Sequence, residues 1–178
     1  MKNVKLWDKE FRISYPANEI KKDVEAMAQD LSRDLANEEN PLFLSVLNGS
    51  FVFTADFVRN LKFPCEISFV KLASYQGTKT TGTVNQLIGL TENIEGRTVV
   101  ILEDIVDTGI TLGKLVDTLN SFNPKAVKIA TLLFKPDSYK GKVKIDYVGR
   151  NIPNEFIVGY GLDYDGLGRN LADIYTLV

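Results

Sequence analysis

The chain has 178 residues, 44% of them hydrophobic and 25% charged, which fits one globular domain with a buried core rather than a disordered chain. Twenty-one basic residues against 23 acidic ones leave a net charge of −2 and no overall pull toward nucleic acid. A single cysteine, Cys65, excludes an intrachain disulfide. The lack of any histidine excludes a Ser-His-Asp triad, a Cys-His pair and the usual Cys/His zinc site, so a general base has to be a carboxylate, a lysine or a tyrosine.

Val4, Leu6, Phe11 and Ile13 suggest a short extended entry segment. Ile20, Val24, Met27, Ala28, Leu31 and Leu35 then recur at helical spacing, with Asn18 as the expected N-cap. Leu42 to Leu47 reads as a buried strand that runs into a tight turn at Asn48-Gly49-Ser50. Phe51, Ala55, Val58 and Leu61 mark a second helix, and Cys65 to Ala73 a further strand. Ser74 to Thr83 is polar apart from Tyr75 and reads either as a long hairpin connection or as a lid over a site. Thr98 to Leu102 is β-branched and apolar throughout, as suits a central parallel strand. Leu112, Leu115, Val116, Leu119 and Phe122 trace one face of a helix, and Ala126 to Phe134 is another buried strand. From Lys135 the chain is richer in turns, with strand-like pieces at Ile145 to Val148 and Phe156 to Tyr160. Alternating strands and helices argue an α/β domain around a mostly parallel sheet. The first fifteen residues carry no apolar run of signal-peptide length, and no stretch approaches the roughly 18 apolar residues of a membrane span, so a cytoplasmic protein with no membrane partner is expected.

Several motifs fail on inspection. Gly109 to Leu115 is one residue short of a P-loop and lacks the hydroxyl that holds magnesium. Gly159-Tyr-Gly161 has Tyr164 where a dinucleotide fingerprint needs its third glycine, and Asp163-Tyr-Asp165-Gly166 has the wrong spacing for a calcium loop.

One motif survives. In Val99-Val-Ile-Leu-Glu103-Asp104-Ile-Val-Asp107-Thr108-Gly109-Ile110-Thr111 a buried strand ends in two acids, a polar turn follows, and a helix begins. Ligands bind in the crevice at the carboxyl ends of parallel strands. The first N–H groups of the helix have no backbone partner, Thr108 and Thr111 add hydroxyl donors, and Gly109 permits close approach, so the turn suits a phosphate. Glu103 and Asp104 would repel that phosphate unless they faced sugar hydroxyls or a metal. The ligand so described has a phosphate at one end and a diol in the middle, as in ribose 5-phosphate. Taken singly, Asp104 or Asp107 reads as a helix cap and Glu103 as a solvated side chain; the ordered set of three acids, two threonines and a glycine argues for a site.

This segment resembles the phosphoribosyl pyrophosphate motif of the type I phosphoribosyltransferases, and its Glu-Asp-Ile-Val-Asp-Thr-Gly form resembles the hypoxanthine-guanine members. The likeness covers nearly the whole chain. It implies a mostly parallel central sheet flanked by helices. One domain, 1–178, is implied, with a small hood from the N-terminal segment and about 135–178. The implied reaction joins a 6-oxopurine base to phosphoribosyl pyrophosphate, with Mg²⁺, to give a nucleoside monophosphate and pyrophosphate. Residue by residue, the resemblance makes Glu103, Asp104, Asp107, Thr108, Gly109, Ile110 and Thr111 the phosphoribosyl site. Asn48, Gly49 and Arg169 fall at pyrophosphate, and Ser74 and Tyr75 in a catalytic flexible loop. Lys135, Phe156, Ile157 and Asp163 fall at the purine. Asp107 is the expected proton-exchange partner of purine N7, Lys135 the donor to O6, and Glu103, Asp104 and Asp163 the metal ligands. Two positions depart from the pattern: Asn48 stands where a lysine or arginine is common, and Ile110 where some members have lysine or asparagine. Other bases remain open, as does a non-catalytic regulator that senses the ligand and binds nucleic acid, although Asp107 is present and only Lys140, Lys142 and Lys144 approach a basic run. A homodimer or homotetramer is implied.

Overall fold

The computed structural model describes residues 3–73 and 86–178. The expected lid residues Ser74 and Tyr75 lie outside the described residues. Strands β3 (Leu42–Leu47), β4 (Glu66–Ala73), β5 (Gln86–Ile88), β6 (Thr98–Val106), β7 (Ala126–Phe134) and β8 (Tyr147–Asn151) form one sheet in the order β5-β4-β3-β6-β7-β8. All neighbours run parallel except β5, which is antiparallel to β4. Helices α1 (Ala17–Asp34) and α2 (Phe51–Arg59) cover one face, where Ile20, Val24, Leu31, Phe53 and Phe57 pack on Phe43, Val100 and Leu102. Helix α3 (Ile110–Asn120) covers the other, where Leu112, Leu115 and Leu119 pack on Leu42, Leu44, Val99 and Ile101. Burial on both faces is why β3 and β6 read as unbroken apolar runs.

A second, antiparallel sheet joins the two ends of the chain. Strands β1 (Val4–Leu6), β2 (Lys9–Tyr15), β9 (Ile157–Val158) and β10 (Ile174–Leu177) lie in the order β1-β2-β10-β9, around a core of Leu6, Phe11, Val158 and Tyr175. β8 belongs to the central sheet, so the C-terminal contribution to the second sheet begins at β9. Among the described residues no helix is long and apolar enough to cross a membrane.

Several local expectations are corrected. α1 starts at Ala17 with Pro16, not Asn18, at the N-cap, because the free Ala17 N–H is satisfied from far along the chain by the Asp173 carboxylate at 2.7 Å. α2 buries Phe53, Thr54 and Phe57, while Phe51 and Ala55 stay exposed. Its facing is set by Ser45, buried in β3, whose hydroxyl bonds Thr54 at 2.7 Å and Ser50 at 2.8 Å. α3 ends at Asn120, leaving Phe122 half exposed beyond it. β8 is displaced to Tyr147–Asn151, and of Phe156 to Tyr160 only Ile157–Val158 is strand, since left-handed backbone from Gly159 to Gly161 curls the chain away. β6 does not end at the acids: it carries Glu103 and Asp104 and continues to Val106, paired with β7 as far as Phe134.

Candidate active site

Asp107, Thr108 and Gly109 form the turn between β6 and α3, at the carboxyl edge of the central sheet. Gly109 occupies the N-cap with φ +73°, a conformation that a side chain would strain. A cavity of about 240 Å³ opens here, lined by Glu103, Ile105, Asp107, Thr108, Gly109 and Thr111 among others. Ile110 begins the helix, and its side chain is exposed.

A second cavity, of about 370 Å³, adjoins the first through Ile105 and Asp107. Gly49, Asp104, Lys135, Phe156, Ile157, Asp163 and Arg169 line it, together with Glu155 and Leu162. Eight residues singled out in the sequence thus meet around one space, although they come from four separate stretches of chain. Asn48 is exposed and does not line it; the Leu47–Asn48 peptide bond is cis. A larger cavity, about 780 Å³, lies between α1, α2 and residues 169–172, but it contains none of the β6 acids and shares only Arg169 with this site.

Lys135 follows β7. Its N–H donates to the Val106 carbonyl at 3.0 Å, and its buried ammonium donates to Asp107 Oδ2 at 3.1 Å and to Asn154 Oδ1 at 3.4 Å. An ammonium has three protons, so a third remains for an acceptor in the cavity. Phe156 is half exposed; its ring meets Tyr164 edge-on at 5.8 Å, and Phe11 lies 6.2 Å away. Ile157 starts β9.

Opposite, Arg169 donates to Asp163 Oδ1 at 2.6 Å and to the Gly161 carbonyl at 2.7 Å, while Asp163 Oδ2 accepts the Gly166 N–H at 2.8 Å. Gly49 lies so close to Asp104 that a Cβ at 49 would overlap the carboxylate, and Gly161 packs as tightly on the Gly49 carbonyl. The turn after β3 therefore requires hydrogen at both glycines.

Neighbours on a strand point to opposite sides, so Glu103 lines the smaller cavity and Asp104 the larger. Burial raises both carboxyls: Asp104 to about 6, against the pull of the Ile105 N–H and of Arg169, and Glu103 well above the ordinary range, with the Asp104 charge adding to it. Among the described residues no three potential ligands cluster into a ready-made metal cage. The donor set still fits Mg²⁺, a hard cation that takes one or two carboxylates and completes its shell with water and substrate oxygens. Asp104 offers one largely enclosed carboxylate, and Asp163 shares its cavity.

Asn154, Glu155 and Leu162 belong to the stretch from Ile152 to Tyr164 whose sequence resembles the family's base-binding segment, but the sequence assigns them no individual role, nor any to the Ser45–Ser50–Thr54 hydroxyl cluster beside the Asn48-Gly49 turn. Asn154 stands two residues before Phe156, and that proximity was its available signal.

Residues 15–165 match the family model described as a phosphoribosyl transferase domain. A hypoxanthine-guanine phosphoribosyltransferase of Streptococcus pyogenes is 43% identical over 167 residues, covering 93% of this chain and 92% of the relative. One from Mycobacterium tuberculosis is 40% identical over 167 residues, covering 93% and 80%. The crystal structure of a hypoxanthine-guanine phosphoribosyltransferase from Bacillus anthracis superposes with a TM-score of 0.82 at 36% identity, covering 94% of this chain and 96% of the other. The hypoxanthine phosphoribosyltransferase of Trypanosoma cruzi gives 0.84 at 34% identity, covering 93% and 95%. With its parallel sheet, its acid-rich β6 turn and these relatives, the chain belongs to the phosphoribosyltransferase family.

Proposed function

We propose that this protein is a purine-salvage enzyme that transfers the 5-phosphoribosyl group from phosphoribosyl pyrophosphate to hypoxanthine and guanine, giving the nucleoside monophosphate and pyrophosphate. The observation that carries this is the pair of adjoining cavities, one ending in the helix turn and the other lined by Lys135, Phe156 and Ile157, with Asp107 on the boundary.

The 5′-phosphate sits on the N–H groups and hydroxyls of 108–111, where the helix end favours negative charge. Asp104 and Glu103 face the ribose region from either side of β6. The leaving pyrophosphate lies by Gly49 and Arg169. A 6-oxopurine stacks on Phe156, accepts a hydrogen bond at O6 from the remaining N–H of Lys135, and meets the Asp107 carboxylate at N7. Asp107 exchanges the N7 proton as N9 bonds to ribose C1 and the C1–O bond to pyrophosphate breaks. Help of this kind is worth about 10²–10⁴-fold. Asp104 would hold Mg²⁺, and Asp163, whose oxygens already accept from Arg169 and the Gly166 N–H, lines the same cavity and would add a second carboxylate. A cation held there would supply positive charge against that developing on the departing diphosphate.

The proposal includes one domain over 1–178 whose second sheet is the hood, a reducing cytoplasmic setting, and a homodimer or homotetramer. The exposed Phe51, Ile67 and Phe69 support self-association, and light scattering tests it. The activity itself is tested by a spectrophotometric assay with phosphoribosyl pyrophosphate, Mg²⁺ and hypoxanthine, guanine, xanthine or adenine. Turnover with hypoxanthine or guanine that a chelator abolishes is the expected result; no turnover with either overturns the proposal.

A further inference from the structure

The stretch from Lys135 to Val143 touches the phosphate turn repeatedly. At its start the Lys135 N–H holds the Val106 carbonyl, and the Lys135 ammonium holds Asp107. Further on, the Lys140 N–H donates to the Thr108 carbonyl at 3.0 Å. Between them the Tyr139 ring lies flush against Gly109, so that a Cβ at 109 would overlap its Cε2. The same ring is backed by Gly141, where a Cβ would come 2.5 Å from the tyrosine oxygen. Phe134 meets it edge-on, with ring centres 5.3 Å apart at 71°, and its hydroxyl donates to the Val143 carbonyl at 2.5 Å. The turn has little internal support. Among the described residues no side chain caps α3, and the Thr108 hydroxyl reaches the Ile110 N–H only at 3.5 Å. Its left-handed Gly109 is held from outside.

We infer that Tyr139 is a positioning residue for recognition of the 5′-phosphate: its ring, with the Lys140 backbone, holds the Asp107–Ile110 turn in the shape that presents its amides to the ligand. This rests on the phosphoribosyltransferase reading of that turn. Lys135 keeps its own bonds to Val106 and Asp107, so loosening Tyr139 acts on the phosphate end and spares the base end. Pre-arranged amides bind an anion without paying to order the turn, and a loosened turn loses that advantage.

The test compares wild type with Tyr139→Ala and Tyr139→Phe, measuring ribose 5-phosphate affinity by calorimetry and KM for phosphoribosyl pyrophosphate and for hypoxanthine. Tyr139→Ala weakens ribose 5-phosphate and raises the phosphoribosyl pyrophosphate KM by about 10-fold, the scale of one aromatic contact. The hypoxanthine KM stays within about 2-fold, and Tyr139→Phe, which keeps the ring, restores wild-type values throughout. Thermal melts establish that each variant is folded; should Tyr139→Ala not fold, Tyr139→Leu takes its place. Unchanged ribose 5-phosphate affinity, or an equal rise in both KM values, overturns the inference. A wild type that binds ribose 5-phosphate but turns over no purine sinks the proposed reaction alone, and the affinity ratio still decides the role of Tyr139. A wild type that binds no ribose 5-phosphate overturns both.

Discussion

Lys135 and Asp107 pair at 3.1 Å from unequal positions: the lysine side chain is 9% exposed and the aspartate 46%. Losing one partner therefore costs more than losing the other. Asp107→Ala strands a buried ammonium with only the Asn154 amide, a penalty of about 1–3 kcal/mol, or a fall of roughly 2–12 °C in Tm for a chain of this size. Lys135→Met leaves a half-exposed carboxylate in water and melts near wild type. The kinetic effects fall on different constants. Asp107→Asn lowers kcat by about 10²–10⁴-fold, whereas Lys135→Met raises the purine KM by roughly 10–150-fold through loss of a charge-assisted hydrogen bond. Melting curves and steady-state kinetics on the three variants check this.

Asp104 gives the ligand-free protein a pH signature. Burial raises its carboxyl from 3.8 to about 6, so the folded state holds a proton that the unfolded chain releases. Its contribution to stability therefore declines as pH rises through that window. A cation demands the ionised form. Binding of Mg²⁺ with phosphoribosyl pyrophosphate at pH 6 expels about half a proton from Asp104, which is half protonated there, and affinity weakens as pH falls below about 6. Calorimetry at pH 6 in two buffers of different ionisation heat measures the release; identical heats would remove Asp104 from the metal's ligands.

At the turn after β3, Asn48 is exposed and uncharged, while Gly49 is pressed on Asp104. Asn48→Lys adds a positive charge next to Gly49, at the rim of the proposed diphosphate site, without disturbing the core. It lowers the phosphoribosyl pyrophosphate KM by up to about 5-fold at low salt, an advantage that fades as salt rises. Gly49→Ala drives a methyl into the carboxylate and raises that KM by more than 10-fold. Kinetics at two ionic strengths test both.

Phe156, the aromatic proposed to stack on the base, is braced by Tyr164 and Phe11. Stacking on an aromatic is worth roughly 1–3 kcal/mol per base, so Phe156→Ala raises the purine KM by about 5–150-fold with kcat less affected. An unchanged purine KM would reassign the ring to the hood core.

The central strands were legible because burial on both faces writes an unbroken apolar run, as at Thr98 to Leu102. The turn between β6 and α3 was legible because its signal is local: acids, threonines and a glycine within nine residues. Facing and partnership were not. Phe51 and Phe53 both lie on α2, and Phe53 turns inward because it packs with Phe57 in the core around Phe43, on the side where Thr54 and Ser50 meet the buried Ser45 hydroxyl. Asn18 looked like a cap because Asp173, which satisfies the Ala17 N–H, is nearly the whole chain away. Tyr139 meets Gly109 through a contact that no spacing rule encodes.

The pairing of β9 with β10, and of β10 with β2, has a consequence for how the molecule comes into being. As the chain is synthesised, every strand of the central sheet is available once residue 151 has emerged, and the phosphate turn with it. β9, which carries Ile157 beside Phe156, has no partner until β10 follows. The wall of the proposed base site is thus the last part to assemble, after the central sheet and the β6–α3 turn that it presents.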